Sequence, residues 1–169
     1  HWGIEGDHYP TEYQRELGHT LIDLGADLVV GNHPHVLQGI EEYNGKLIVH
    51  SLANFCFGAN RSPADKDTMI FQQTFTFVDG VLSPDAEARL IPCYLSSIQT
   101  RNDFKPTLAE GEEAQRILEK VSAGTDAMSD AVDAVTAAVE RAEAQADSLE
   151  KVIYRWELYS ENLKRAVEG

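Results

Sequence analysis

Leu28, Val29 and Val30 form a short apolar run, with Gly25 before it and Gly31 after it, and His33-Pro34-His35 follows just past Asn32. So compact an apolar run between glycines predicts a strand buried on both faces. Thr11 to Leu24 predicts a helix: Pro10 lies at its start, Leu17, Leu21 and Leu24 recur at helical spacing beside Ile22, and Gly25 supplies a left-handed stop. A helix followed by a buried strand is two thirds of a βαβ unit, so the fold class expected is α/β. The remaining third is a strand ahead of His1, which would bring His1 to the carboxyl edge of the sheet, where His33 and His35 also fall.

Residues two apart in extended backbone point to one side, and Pro34 disfavours a helical turn at His33. Both imidazoles are therefore expected to face one point, with His1 as a third partner. Three histidines can hold one zinc-like ion with an open fourth position. The alternative is a pair of loop histidines hydrogen-bonded to nearby carbonyls, and for His1 a residue left from a tag. Glu5 is a candidate for proton transfer or for steering His1, against a plain solvated carboxylate. Asn54 and Arg61 are candidate substrate contacts, against a loop-fixing amide and a solvated loop arginine. His8 and His19 stand outside any motif and are expected at the surface, while His50 is expected at a strand end.

The motifs His1-Trp2-Gly3-x-Glu5, Gln14 within the helix, Gly25-Ala26-Asp27-Leu28-Val29-Val30-Gly31-x-His33-Pro34-His35-Val36-x-Gln38 and Ser51-Leu52-x-Asn54-Phe55 occur in this order. Together they resemble the poly-γ-glutamate capsule-synthesis proteins of the calcineurin-like metallophosphoesterase superfamily. The resemblance covers about residues 1 to 100. It implies the C-terminal half of a sandwich of two sheets flanked by helices, in residues 1–109, with a helical tail in 110–169. It also implies that His33 and His35 are metal ligands and that His1 matches the histidine of the His-Trp-Gly motif. Asn32, His50 and Ala53 depart from the pattern; Ala53 stands where the family has glycine.

The family's early Asp motif and Asn/His motif do not precede His1, so the chain is expected to be a C-terminal portion whose partner is the missing N-terminal half of the domain. Two divalent ions (Mn, Zn or Fe) are implied for the full-length protein, with weak or partial binding and little hydrolysis by this chain. The implied role is making or exporting a poly-γ-glutamate-like polymer, at the cell surface through an N-terminal anchor. A metal-dependent phosphoester hydrolase and a non-catalytic assembly module are the rival readings, and the substrate is accordingly an anionic polymer or a phosphoester.

The formal net charge is −14, with residues 1–109 and 110–169 each holding 14 acidic and 7 basic side chains. Such a chain repels nucleic acid, and binding of any anion needs a local basic pocket or a metal. Cys56 and Cys93 lie in apolar runs and are expected to be buried free thiols. Asn44-Gly45 predicts a turn before a strand at Lys46 to His50, and Asp79-Gly80 a hairpin joining Met69–Val78 to a strand near Ala86–Leu95, with Phe71, Gln73, Phe75 and Phe77 on one face. In one reading a shorter helix from Glu112 to Ser122 is joined at Gly124 to the helical stretch that follows it. Thr125 to Glu168 holds no glycine or proline and carries a heptad seam from Met128 to Val167, which predicts a long helix that dimerises or a helical hairpin, against a plain amphipathic core helix, since Ala142 and Ala146 weaken the seam.

Overall fold

The computed structural model describes residues 1–83 and 87–128. The described chain is α/β, and its first compact unit runs from His1 to Met128. The heptad pattern beyond Met128 lies outside the described residues.

Helix α1 (Glu12–Asp23) begins with a capping box: the Thr11 side chain accepts from the Gln14 backbone, and the Gln14 side chain accepts from the Thr11 N–H. Its buried stripe is Gln14, Gly18 and Ile22, not the predicted leucines. Leu21 is partly exposed and Leu24 is 81% exposed. Gly18 sets this rotation. A β-carbon there would stand 3.1 Å from Ile48, so the helix lies almost backbone-to-side-chain on the sheet, with Leu17 packed at the margin of that core and Leu21 and Leu24 turned outward.

Strands β1 (Leu28–Val30), β2 (Ile40–Tyr43) and β3 (Lys46–Val49) form one sheet in the order β1-β3-β2, with β1 parallel and β2 antiparallel to β3. Burial on both faces belongs to β3 instead of β1. Ile48 and Val49 are both fully buried, whereas Val30 is 49% exposed because β1 has β3 on one side alone among the described residues. Asn44 (φ 50) and Gly45 (φ 72) make the predicted turn between β2 and β3.

The expected hairpin is present. Strands β4 (Asp67–Thr74) and β7 (Glu87–Tyr94) pair antiparallel from Asp67 opposite Tyr94 to Thr74 opposite Glu87. Its outer end is a separate ribbon of β5 (Phe77–Val78) and β6 (Val81–Leu82), joined at Asp79 (φ 52) and Gly80 (φ 80). The alternating face fades along it: Phe71 is half-buried, but Phe75 and Phe77 are exposed. The tip extends past the apolar core. Strand β8 (Thr107–Leu108) completes the second sheet beside β7.

Helix α2 covers residues 111–128 and runs through Gly124. The joint expected at Gly124 in the hairpin reading is absent because this glycine serves contact, not chain reversal. A β-carbon on Gly39 would meet the Gly124 and Thr125 backbone at 2.6 Å, and Thr125 Oγ1 accepts from the Ile40 N–H. Two cores result. Trp2, Ile22, Val29 and Ile48 close the space under α1. Leu37, Val49, Ala53, Met69, Ile117 and Val121 join the first sheet to β4 and α2. Adjacent residues of β3 thus face different cores, as strand alternation requires. Cys93 is buried as expected, but Cys56 is exposed, because the chain after Asn54 leaves the sheet.

Candidate functional site at the histidine loop

The parallel strands β1 and β3 end side by side, tied by the Gly31 N–H donating to the Val49 carbonyl. Trp2 is buried at this edge. Its indole N–H donates to the His50 carbonyl and its backbone N–H to the Asn32 carbonyl. Gly31 makes room for it, since a β-carbon there would stand 2.1 Å from the indole nitrogen. Anchoring Trp2 brings His1 to the loop after β1, with ring centroids of His1 and His33 4.1 Å apart and those of His33 and His35 5.7 Å apart.

The rings do not meet by the extended geometry expected. His33 has φ 110 and His35 φ 60, both in the left-handed half of conformational space. Pro34 excludes a helical turn before it but leaves this alternative open. Such conformations cost about 1–3 kcal/mol each and concentrate at functional sites. Asn54 holds the second of them: its amide oxygen accepts from His35 Nδ1 at 2.7 Å, and its amide N–H donates to the His35 carbonyl at 3.3 Å. An amide oxygen only accepts, so Nδ1 of His35 is the donor, and in the neutral ring the lone pair then sits on Nε2. The loop-fixing role weighed for Asn54 is therefore what its amide performs. Phe57 packs on the same ring at 4.9 Å, and Ala53 adopts φ 61, the conformation natural to the glycine it replaces.

Glu5 is exposed on the turn closed by the Asp7 N–H and the Ile4 carbonyl. Arg61 is exposed, and its backbone carbonyl accepts from the N–H of buried Asn102. Among the described residues, no three His, Cys, Asp or Glu side chains are disposed to hold a metal ion together. Three imidazoles lie side by side, with one of them oriented; they suit a borderline ion such as zinc in donor type.

Two buried features of the site are not obvious from ligand spacing. The first is a glutamine lock: Gln14 Nε2 donates to Gln38 Oε1 at 2.9 Å, and Gln38 Nε2 donates to the Asp7 and Tyr9 carbonyls. This fastens the segment bearing His1 to α1 and to the loop after His35. Its signal was a glutamine on the buried stripe of a helix, together with the Thr11-x-x-Gln14 capping pattern. The second is Glu41 on β2. Its two oxygens accept from His19 Nε2 at 2.7 Å and His50 Nε2 at 3.1 Å, with Arg15 at 3.5 Å. Burial opposes ionisation of Glu41, but hydrogen bonds from His50 and His19, and the charges of His19 and Arg15, bring its pKa down to about 2. His19 is thus no free surface residue: it also stacks on Tyr43 at 3.9 Å. His50 does close a strand end, fully buried, with Nδ1 unpartnered.

These observations define an α/β domain with a strained histidine loop at the carboxyl ends of parallel strands, held by buried amides. Residues 1–59 match the family model described as bacterial capsule synthesis protein PGA_cap. Over 57 residues the chain is 54% identical to the PGA biosynthesis protein CapA of Bacillus subtilis (strain 168), covering 34% of this chain and 15% of that protein. It is 47% identical over 57 residues to the capsule biosynthesis protein CapA of Bacillus anthracis, covering 34% and 14%. An uncharacterized protein, y4sH, of Sinorhizobium fredii (strain NBRC 101917 / NGR234) is 43% identical over 58 residues, covering 34% and 13%. The resemblance to capsule-synthesis proteins is thereby shown for residues 1–59, and the match spans only a small part of these relatives.

Proposed function

We propose that residues 1–59 form part of the metal site of a capsule-synthesis-type protein of metallophosphoesterase-like architecture, acting in the making or export of a poly-γ-glutamate-like polymer. The observation that carries the reading is the oriented His35: Asn54 fixes its Nδ1 as the donor, and its ring lies 5.7 Å from that of His33, which in turn lies 4.1 Å from that of His1. Relatives named for capsule and PGA biosynthesis support the biological role. His1, His33 and His35 would hold an ion, which when bound activates water and steadies charge developing on an oxyanion. Further ligands come from residues that the present sequence does not include, which the far greater length of the relatives supports. In that assembly the chain's task is to hold imidazoles at fixed positions, and the left-handed loop with its amide clamps serves this purpose.

The test is calorimetric titration of the chain with zinc and with manganese. Weak binding of at most one ion is expected, abolished in His33→Ala and in His35→Ala and reduced in Asn54→Ala. Tight binding of two ions by this chain, or binding indifferent to His35, overturns the reading.

A further inference from the structure

A cleft of about 940 Å³ opens between the segment around His8, the chain leading into β4, and α2. None of His1, His33 and His35 lines it, although Val36 does, one residue past the histidine loop. Its wall is an ordered ion network. Asp67, nearly buried, accepts from Arg116 Nη1 at 2.7 Å and Nη2 at 2.8 Å and also from Lys120 Nζ. Arg116 Nε donates to Glu113 at 2.9 Å, and Lys120 Nζ to Asp65 at 2.8 Å. Burial pushes the Asp67 carboxyl up, but the hydrogen bonds from Arg116 and Lys120 outweigh it and hold its pKa below the usual aspartate value.

The acids leave N–H groups of the cations over. Lys120 commits two of its three, and Arg116 commits three of its five to carboxylates. Lys66, also on the wall, makes one long contact to the Pro63 carbonyl at 3.5 Å and enters no ion pair among the described residues. His8 lies 3.9 Å from Asp65 and stays half-exposed. The wall sets Lys66, Arg116 and Lys120 against Asp65, Asp67 and Glu113, and the spare donors belong to cations that buried Asp67 and its neighbours already hold in place. A ligand with fixed oxygens needs no rearrangement to accept from them, which is the condition for strong charge-assisted bonds.

We propose that this cleft binds an oxyanion, a carboxylate or a phosphate group, through Lys66, Arg116 and Lys120. The site stands on its own geometry and is independent of the metal reading. The experiment is calorimetric titration of the full chain, kept in chelator, with glutarate as the carboxylate probe and inorganic phosphate as the other, at low and moderate salt. Saturable binding of at least one probe is expected, weakening as salt rises. Lys66→Glu should weaken it about tenfold, the effect of turning a favourable partly exposed contact into a repulsive one. Lys66→Ala should act in the same direction but less, and with a single long contact at stake it keeps the fold. Arg116→Gln should weaken binding further, read alongside its melting temperature. His35→Ala should leave binding unchanged. Saturation by glutarate alone or by phosphate alone assigns the group; binding of neither, binding untouched by Lys66→Glu, or binding lost in His35→Ala overturns the proposal.

Discussion

The region up to Asn54 and the region from Asp65 to Met128 are each fastened by a carboxylate, half-buried Glu41 in the first and buried Asp67 in the second, and the two are served differently. Glu41 is held by two histidines and an arginine from α1 and from the end of β3. Asp67 is held by an arginine and a lysine from α2. The first arrangement includes His50, whose carbonyl accepts from Trp2 at the edge of the sheet that bears the histidine loop. The second lines a cleft with permanent charge. The lesson is that an interior carboxylate can fasten elements and, by the choice of its partners, also set what a neighbouring surface offers to a ligand.

The sharpest way to break this comparison lies in β3, whose adjacent residues serve different cores. Ile48→Ala should cost about 4 kcal/mol, since a fully buried Ile loses its methylenes and leaves a cavity. In hydrogen exchange its effect should concentrate on α1, whereas Val49→Ala should loosen α2 and β4; equal loosening of both by Ile48→Ala would show that the regions are not separable. Gly39→Ala, measured by denaturant unfolding, should cost about 3 kcal/mol, because the new methyl meets the α2 backbone, which cannot yield as a side chain can.

Acid titration of stability distinguishes the two carboxylates. Glu41 falls from 4.5 to about 2 on folding, so its contribution is complete above pH 4.5 and is lost as pH falls towards 2. The span has an upper bound of about 3 kcal/mol, and about 2 kcal/mol is expected given the water that still reaches the group. Glu41→Gln should flatten that part of the profile. Asp67→Asn should remove a separate contribution that fades only as pH falls below 3.8; a single variant abolishing the whole acid slope would refute two independent clamps. The smallest effect belongs to Ala53→Gly. Relief at φ 61 offsets a lost buried methyl and a freer unfolded chain, leaving melting within about 1 kcal/mol of the parent.

Local patterns announced much of the first region. Pro10 and Gly25 bracketed α1, Asn44-Gly45 and Asp79-Gly80 marked their turns, and the apolar run at Leu28 marked β1. The meeting of His1 with His33 was expected from a strand ahead of His1, but among the described residues it rests on the buried Trp2. What hid was set by contacts distant in sequence. Gly18 against Ile48 left Leu21 and Leu24 outside the core, and Gly39 against Gly124 turned an apparent helix stop into a packing face. The left-handed backbone at His33 and His35 was masked because Pro34 suggested extended chain. Asp67 gave no signal beforehand, since its partners Arg116 and Lys120 lie 49 and 53 positions away. Residue spacing shows periodicity; it does not show which distant residue lacks a β-carbon.

The Gly39–Gly124 contact also bears on how parts of this chain can be exchanged. Where two backbones touch without side chains between them, neither partner can be replaced alone by a helix or loop from another protein unless the incoming piece also carries glycine at the point of contact. Grafting a different helical segment behind the histidine-bearing region would therefore succeed or fail on a single missing methyl at position 124, whatever the rest of the graft contains.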